Sequence, residues 1–157
     1  MNNLSDLPTQ FTIRVYGILL DESMGVLVAD EFQNGRRFTK FPGGGLELGE
    51  GTRDCLVREW REELNQRIEV TEHFYTTDFY QISAFDNAKQ VISIYYRVKP
   101  LEKMGIKISA LPFDFAEEKD GAESFRWIAA GNFQPALLTF SIDKLVAKMI
   151  QAYLQQT

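Results

Sequence analysis

Three glutamates, Glu59, Glu62 and Glu63, stand within five residues of one another in a stretch of helical pattern. At about 100° per residue they share about 100° of arc, while Leu56, Val57, Trp60 and Leu64 take another arc of similar width. One face is therefore core and its neighbour is three carboxylates. Like charges this close cost an exposed helix a few tenths of a kcal/mol per pair, roughly, so something is expected to offset them. A hard divalent cation such as Mg²⁺ meets that need, because it prefers carboxylate oxygens. Taken alone, Glu59-Trp60-Arg61-Glu62-Glu63 is also what an ordinary solvated acidic face looks like. The preceding loop favours chemistry. Pro42 stops a strand and Gly43, Gly44 and Gly45 return the chain to the carboxylate helix, where glycine lets backbone approach a ligand that a side chain would obstruct.

Other candidates are weaker. Arg36, Arg37 and Lys40 form a cationic group in an acidic chain and could hold a phosphate, although an exposed basic turn has the same look. Glu117, Glu118, Asp120 and Glu123 are acids in or beside a long aperiodic stretch, each an ordinary surface carboxylate unless the fold brings it to the helix. Tyr75, Phe79, Tyr80 and Tyr96 could stack on a base, but strand aromatics are commonly core. His73 has no visible partner and reads as structural, and Cys55 reads as a small packing residue.

The elements that must position these groups follow from pattern. The carboxylate helix runs over residues 52–64, opened at Gly51-Thr52 and closed by Asn65, which tolerates a left-handed conformation. Residues 11–20 and 25–28, separated by Asp21-Glu22-Ser23, read as a hairpin. Asn34-Gly35 turns the chain into a short strand over 37–41, and residues 46–48 make at most a strand fragment. Residues 68–85 read as a long or broken strand ending at Asp86-Asn87, and 91–98 as its partner, with Ile92, Ile94, Tyr96 and Val98 on one face. A loop over 101–120, a strand over 124–128 and an amphipathic C-terminal helix carrying Ile142, Leu145, Val146, Met149, Ile150, Tyr153 and Leu154 complete the chain.

The 157 residues, 45% hydrophobic and 25% charged, fit one domain over 1–157 and no disordered or collagen-like class. A net charge of −5 argues against coating nucleic acid or an anionic membrane. One cysteine closes no disulfide within the chain, and with a single histidine it makes no usual zinc site. Without an N-terminal basic-then-apolar pattern or a long apolar run, the expectation is a soluble protein of the cytoplasm.

Gly44, Glu50, Arg58, Glu59, Trp60, Glu62 and Glu63 together resemble the signature of the Nudix hydrolase family: Gly, five residues, Glu, seven residues, Arg-Glu-apolar-any-Glu-Glu-any-Gly-apolar. Asn65 stands where the pattern has Gly, and Gln66 where it has an apolar residue, so neither departure touches a carboxylate. The resemblance implies an α/β/α sandwich with a mixed sheet, and an enzyme that uses Mg²⁺ or Mn²⁺ to cut a phosphoanhydride bond in a nucleoside diphosphate linked to another group. By the same resemblance Glu59 and Glu63 are the leading metal ligands, with Glu62 close by and the Gly43 carbonyl completing the set. Arg58 and Glu50 match positions that orient the helix, and Arg37, Lys40, Gly44 and Gly45 are the expected substrate contacts. Glu59 is the first choice for general base, with Glu117, Glu118, Asp120 and Glu123 as alternatives. The expected partner is a small nucleotide-derived substrate, with no nucleic-acid polymer, no membrane, and a homodimer left open. The competing reading is a non-catalytic Nudix-fold sensor of a nucleotide ligand. A damaged signature and an attached DNA-binding domain would mark it, and the roughly forty residues before the signature are too few for such a domain.

Overall fold

A computed structural model describes residues 4–157. Two four-stranded sheets carry the fold. The first has the order β5-β1-β7-β6, formed by β5 (Gly43–Gly45), β1 (Gln10–Ile18), β7 (Lys89–Pro100) and β6 (Ile68–Thr76). Its β1 and β7 run parallel, and its other pairings are antiparallel. In the second, β3 (Gly25–Gln33) is paired with β2 (Leu20–Asp21), β4 (Arg36–Lys40) and β8 (Ala122–Ile128), all antiparallel. The helices are α1 (Thr52–Leu64) and α2 (Ser141–Gln155).

The helices cover opposite faces. Val15 and Leu19 of the first run, Leu27 and Ala29 of β3, and Tyr96 and Val98 of β7 pack on Cys55, Leu56, Trp60 and Leu64 of α1. Their neighbours Tyr16, Ile18, Val26, Val28 and Tyr95 pack on Ile142, Val146, Ala147 and Ile150 of α2. Strands buried on both faces read as continuous apolar runs, which is why β1 and β3 look as they do in sequence. Ile94, Tyr96 and Val98 do share the α1 face, and Tyr95, between Ile94 and Tyr96, is fully buried against the α2 side, so this strand too is covered on both faces.

Other sequence expectations also give way. The hairpin is confined to Leu20–Asp21 against Gly25 and Val26, with the Asp21 carboxylate accepting from the backbone N–H groups of Ser23 and Met24. The rest of that run lies in the other sheet, because β1 finds its longer partner in β7. The strand fragment falls on Gly43–Gly45, where a Cβ at Gly43 would meet the Val15 carbonyl at 2.0 Å, so only glycine pairs this tightly with β1. The strand from Ile68 ends at Thr76, and residues 77–85 keep only an isolated bridge between Ile82 and Gln90. Residues 101–120 form no regular element, as expected. Asn65 does close α1 in the left-handed region, at φ 48°, and its N–H bonds the Arg61 carbonyl. Gln66, buried, donates to the backbone carbonyls of Arg67 and Glu102.

Candidate active site

Helix α1 meets the glycine strand through Arg58. Its guanidinium donates to both carboxylate oxygens of Glu50, at 2.6 and 2.9 Å, to Glu59 at 2.9 Å, to Glu62 at 3.2 Å and to the Gly45 carbonyl at 3.0 Å. This ties the loop to the helix and fixes the direction of Glu59. Arg58 holds the Glu50 carboxyl down to about 2. Gly44 packs directly on Glu59: a Cβ there would lie 2.3 Å from the carboxyl carbon, so no other residue allows this approach.

The carboxylates that converge come from three elements. Glu31 of β3, Glu63 of α1 and Glu123 of β8 place carboxylate oxygens within 4.8 Å of one another. Strands β3 and β8 pair Glu31 directly with Glu123, and the last turn of α1 lays Glu63 over them. Burial pushes the Glu63 carboxyl up to about 8, against the pull of Lys40 and with further push from Glu123 and Glu31. Burial and then Glu31 push Glu123 up to about 7. Lys40 Nζ lies 2.8 Å from Glu31 Oε2, at an angle too poor for a hydrogen bond, which leaves that buried oxygen without a directed donor. Three crowded hard oxygen donors are a set that Mg²⁺ or Mn²⁺ fits. Among the residues expected to bind metal, Glu63 is in this group and Glu59 is close enough to raise both Glu63 and Glu123. Glu62 is outside it, exposed and held by Arg58, and the Gly43 carbonyl accepts from Lys40 at 3.2 Å.

The expected phosphate group is dispersed. Arg37 makes a bidentate pair with Glu118 at 2.7 Å, and Arg36 donates to the Ala84 carbonyl. Lys40 is buried between Glu31 and Gly43. Burial alone would lower its ammonium, but Glu31 and then Tyr16 hold it above its ordinary value. Of the four late acids only Glu123 reaches the carboxylates. Glu118 is held by Arg37, Asp120 accepts from the Asn34 N–H, and Glu117 lies 3.4 Å from Lys119. Cys55 is buried, and desolvation pushes its thiol up to about 12, which removes it as a nucleophile.

A cavity of about 490 Å³ opens beside the carboxylates and shares Glu31 and Lys40 with them. Phe38, Phe85, Phe140, Arg14, Tyr95 and Asp143 also line it. None of the strand aromatics picked from sequence does; Tyr96 faces α1 and bonds Thr52. Arg14 has no carboxylate within ion-pair distance among the described residues, and its Nε donates to the Tyr16 hydroxyl at 3.2 Å. Asp143 is almost fully buried, and burial pushes its carboxyl up to about 7. Arg14, Glu31 and Asp143 escaped sequence reasoning. For Arg14 and Glu31 the one available signal was a charged residue within or continuing a strand buried on both faces; Asp143, in the first turn of α2, offered none.

The NUDIX domain profile matches residues 10–149. The chain belongs to the Nudix family. That places this Nudix protein among the pyrophosphohydrolases, which act on acid anhydrides of phosphorus. Solved structures share its fold at low identity. The E. coli ORF135 protein superposes with a TM-score of 0.67 at 17% identity, covering 96% of this chain and 94% of that one. A MutT Nudix hydrolase from Burkholderia pseudomallei gives 0.66 at 15%, covering 90% and 98%. An ADP-ribose pyrophosphatase from Streptococcus suis gives 0.51 at 14%, covering 92% and 90%. No curated protein matches the chain in sequence. No helix among the described residues is long and apolar enough to cross a membrane.

Proposed function

We propose that this Nudix protein is a divalent-cation-dependent hydrolase of a phosphoanhydride bond in a small nucleotide: a nucleoside triphosphate, a nucleotide sugar or an ADP-ribose-like compound. The observation that carries the reading is the convergence of Glu31, Glu63 and Glu123 at the edge of a cavity large enough for such a ligand. Glu31, Glu63 and Glu123 would hold Mg²⁺ or Mn²⁺, which supplies charge for phosphoryl oxygens and a lower pKa for water. Arg14 offers a guanidinium free of carboxylates inside the cavity and is the residue placed to hold a substrate phosphate. Lys40 keeps a second positive charge at the boundary between the carboxylates and the cavity. Arg58 grips one oxygen of Glu59 and leaves that carboxylate oriented to take the proton of an attacking water, with Glu50 anchoring Arg58 in turn.

The test is a hydrolysis screen with Mg²⁺ over nucleoside triphosphates, nucleotide sugars, ADP-ribose and dinucleotides, run with Glu63→Gln in parallel. The expected result is turnover of at least one class, falling by two orders of magnitude or more in the variant while its fold persists. Tight nucleotide binding with no turnover in any class would favour a sensor instead.

A further inference from the structure

Arg14 and Tyr16 stand two apart on β1 and so share the strand face that lines the cavity. Their register partners on β5 are Gly45 and Gly43, which bring no side chain to that wall. A Cβ at Gly45 would lie 3.4 Å from Arg14 Nη1, and one at Gly43 would lie 3.0 Å from Tyr16 Cδ1, so both side chains lie close against the glycine strand. From there the Tyr16 ring reaches the second sheet. Lys40 Nζ of β4 stands 5.6 Å from its centroid, and Arg14 Cζ stands 5.8 Å from it. The Tyr95 ring packs on Tyr16 at 5.3 Å and leaves it nearly buried.

The two cations are held differently. Lys40 has Glu31 at 2.8 Å and the Gly43 carbonyl at 3.2 Å. The Arg14 side chain has one hydrogen-bond partner among the described residues, the Tyr16 hydroxyl at 3.2 Å from its Nε. A long side chain that must be ordered when its ligand arrives loses affinity to that ordering, so fixing it beforehand strengthens binding. A carboxylate could fix Arg14, but it would neutralise the guanidinium and compete with a phosphate for the same N–H groups. A phenol does it without charge. Its hydroxyl takes only Nε and leaves the Nη groups free, while the negative face of its ring attracts both cations and eases their mutual repulsion.

We infer that Tyr16 is a positioning residue for phosphate binding, its hydroxyl and ring holding the Arg14 guanidinium beside the Lys40 ammonium without neutralising either. The inference rests on the assignment of Arg14 to a substrate phosphate under the proposed function.

Nitrogen-edited NMR of the arginine side chains and calorimetry test this without turnover. The Arg14 Nε–H signal, identified by its loss in Arg14→Lys, should exchange with water about tenfold more slowly than those of exposed arginines, and Tyr16→Phe should remove that protection. Affinity for inorganic pyrophosphate, measured with Mg²⁺ present, should weaken about tenfold in Tyr16→Phe, as expected for losing one hydrogen bond to a charged group. In an Arg14→Lys background the same change should weaken it by less than about twofold, because the hydroxyl then has no guanidinium to hold, whereas a purely structural loss would carry over in full. An unprotected Arg14 Nε–H in the unaltered protein overturns the inference, and that result needs no variant to fold. Equal affinity in Tyr16→Phe overturns it too, as does the full loss persisting in the Arg14→Lys background. An Arg14 signal that pyrophosphate leaves unmoved, with affinity unchanged in Arg14→Lys, removes Arg14 from phosphate binding and the inference with it. Protection and coupling found with no hydrolysis in the screen above would leave the inference standing and remove the enzymatic reading.

Discussion

Asp30 ties together the strands that deliver two of the three converging carboxylates, and its charge is completely buried. Its Oδ1 accepts from the Thr39 hydroxyl of β4 at 2.6 Å and from Arg126 Nη2 of β8 at 3.3 Å. Its Oδ2 accepts from Arg126 Nε at 2.7 Å and from the Phe113 N–H of the long loop at 3.1 Å. Glu31 is the next residue on β3, and Glu123 lies three residues before Arg126 on β8. Replacing Asp30 with Asn keeps the volume and one acceptor, but turns an amide N–H toward the Phe113 N–H and Arg126 Nε. Removing one partner of a buried pair costs roughly 3–5 kcal/mol, and the retained acceptor puts this case near about 3 kcal/mol. At roughly 2–4 °C per kcal/mol for a chain of this size, Tm should fall by about 6–12 °C. Calorimetry and urea unfolding, with the urea slope unchanged, measure the loss, and kcat should fall as Glu31 and Glu123 lose their fixed spacing. Adding Arg126→Met removes the stranded guanidinium and should recover part of the stability, since losing both partners is milder than losing one. A Tm drop below about 2 °C, or a double variant less stable than Asp30→Asn alone, would refute the reasoning.

Two more outcomes follow from the same site. Folded Glu63 and Glu123 hold protons up to about 8 and about 7, against an ordinary value near roughly 4.3 in the unfolded chain, so their stabilisation is full below about pH 4 and is lost as pH rises through their folded values. Without divalent cations Tm should therefore fall between about pH 5 and about pH 9, with Asp143 adding in the same direction, and Mg²⁺ should restore it at the alkaline end; a flat profile in chelator would contradict the crowding. Gly44→Ala would drive a methyl group into the Glu59 carboxyl and should lower kcat by about tenfold or more with little change in KM, read by steady-state kinetics; an unchanged kcat would show that the held direction of Glu59 is not needed.

What sequence could show was what repeats locally. The period of α1 and the left-handed Asn65 are decided by neighbours three or four residues away, and the structure has them as read; the stripe of α2 is narrower than its pattern, with Ile142, Val146 and Ile150 buried beside Asp143 and Ala147 while Leu145, Met149 and Tyr153 are exposed. The placement of β1 is not local. Its residues make an acceptable hairpin with β3 and an acceptable parallel pair with β7, and the choice depends on Leu20–Asp21 turning early enough to free the strand for the second sheet. A run buried on both faces loses the alternation that would have told the two apart.

The site divides along the same line. Spacing along one helix exposed Glu59, Glu62 and Glu63 as a group, and it could not say that Arg58 turns Glu62 away while Glu63 faces two strands. Glu123 was visible only as one acid among four, because nothing in sequence distinguishes a carboxylate paired across β8 and β3 from Glu118, which meets Arg37 at the surface. Lys40 was expected to meet substrate, and Glu31, beyond the strand expected over 25–28, drew no reading at all. Burial changes their meaning: the Lys40 ammonium lies 2.8 Å from Glu31, nearly out of water, and that carboxylate keeps the ammonium charged against the cost of burial. That dependence makes the site sensitive to an added cation. Glu31, Glu63 and Glu123 would hold a divalent ion that supplies positive charge beside Lys40, which lines the cavity wall and would keep a second positive charge on the side open to a phosphate.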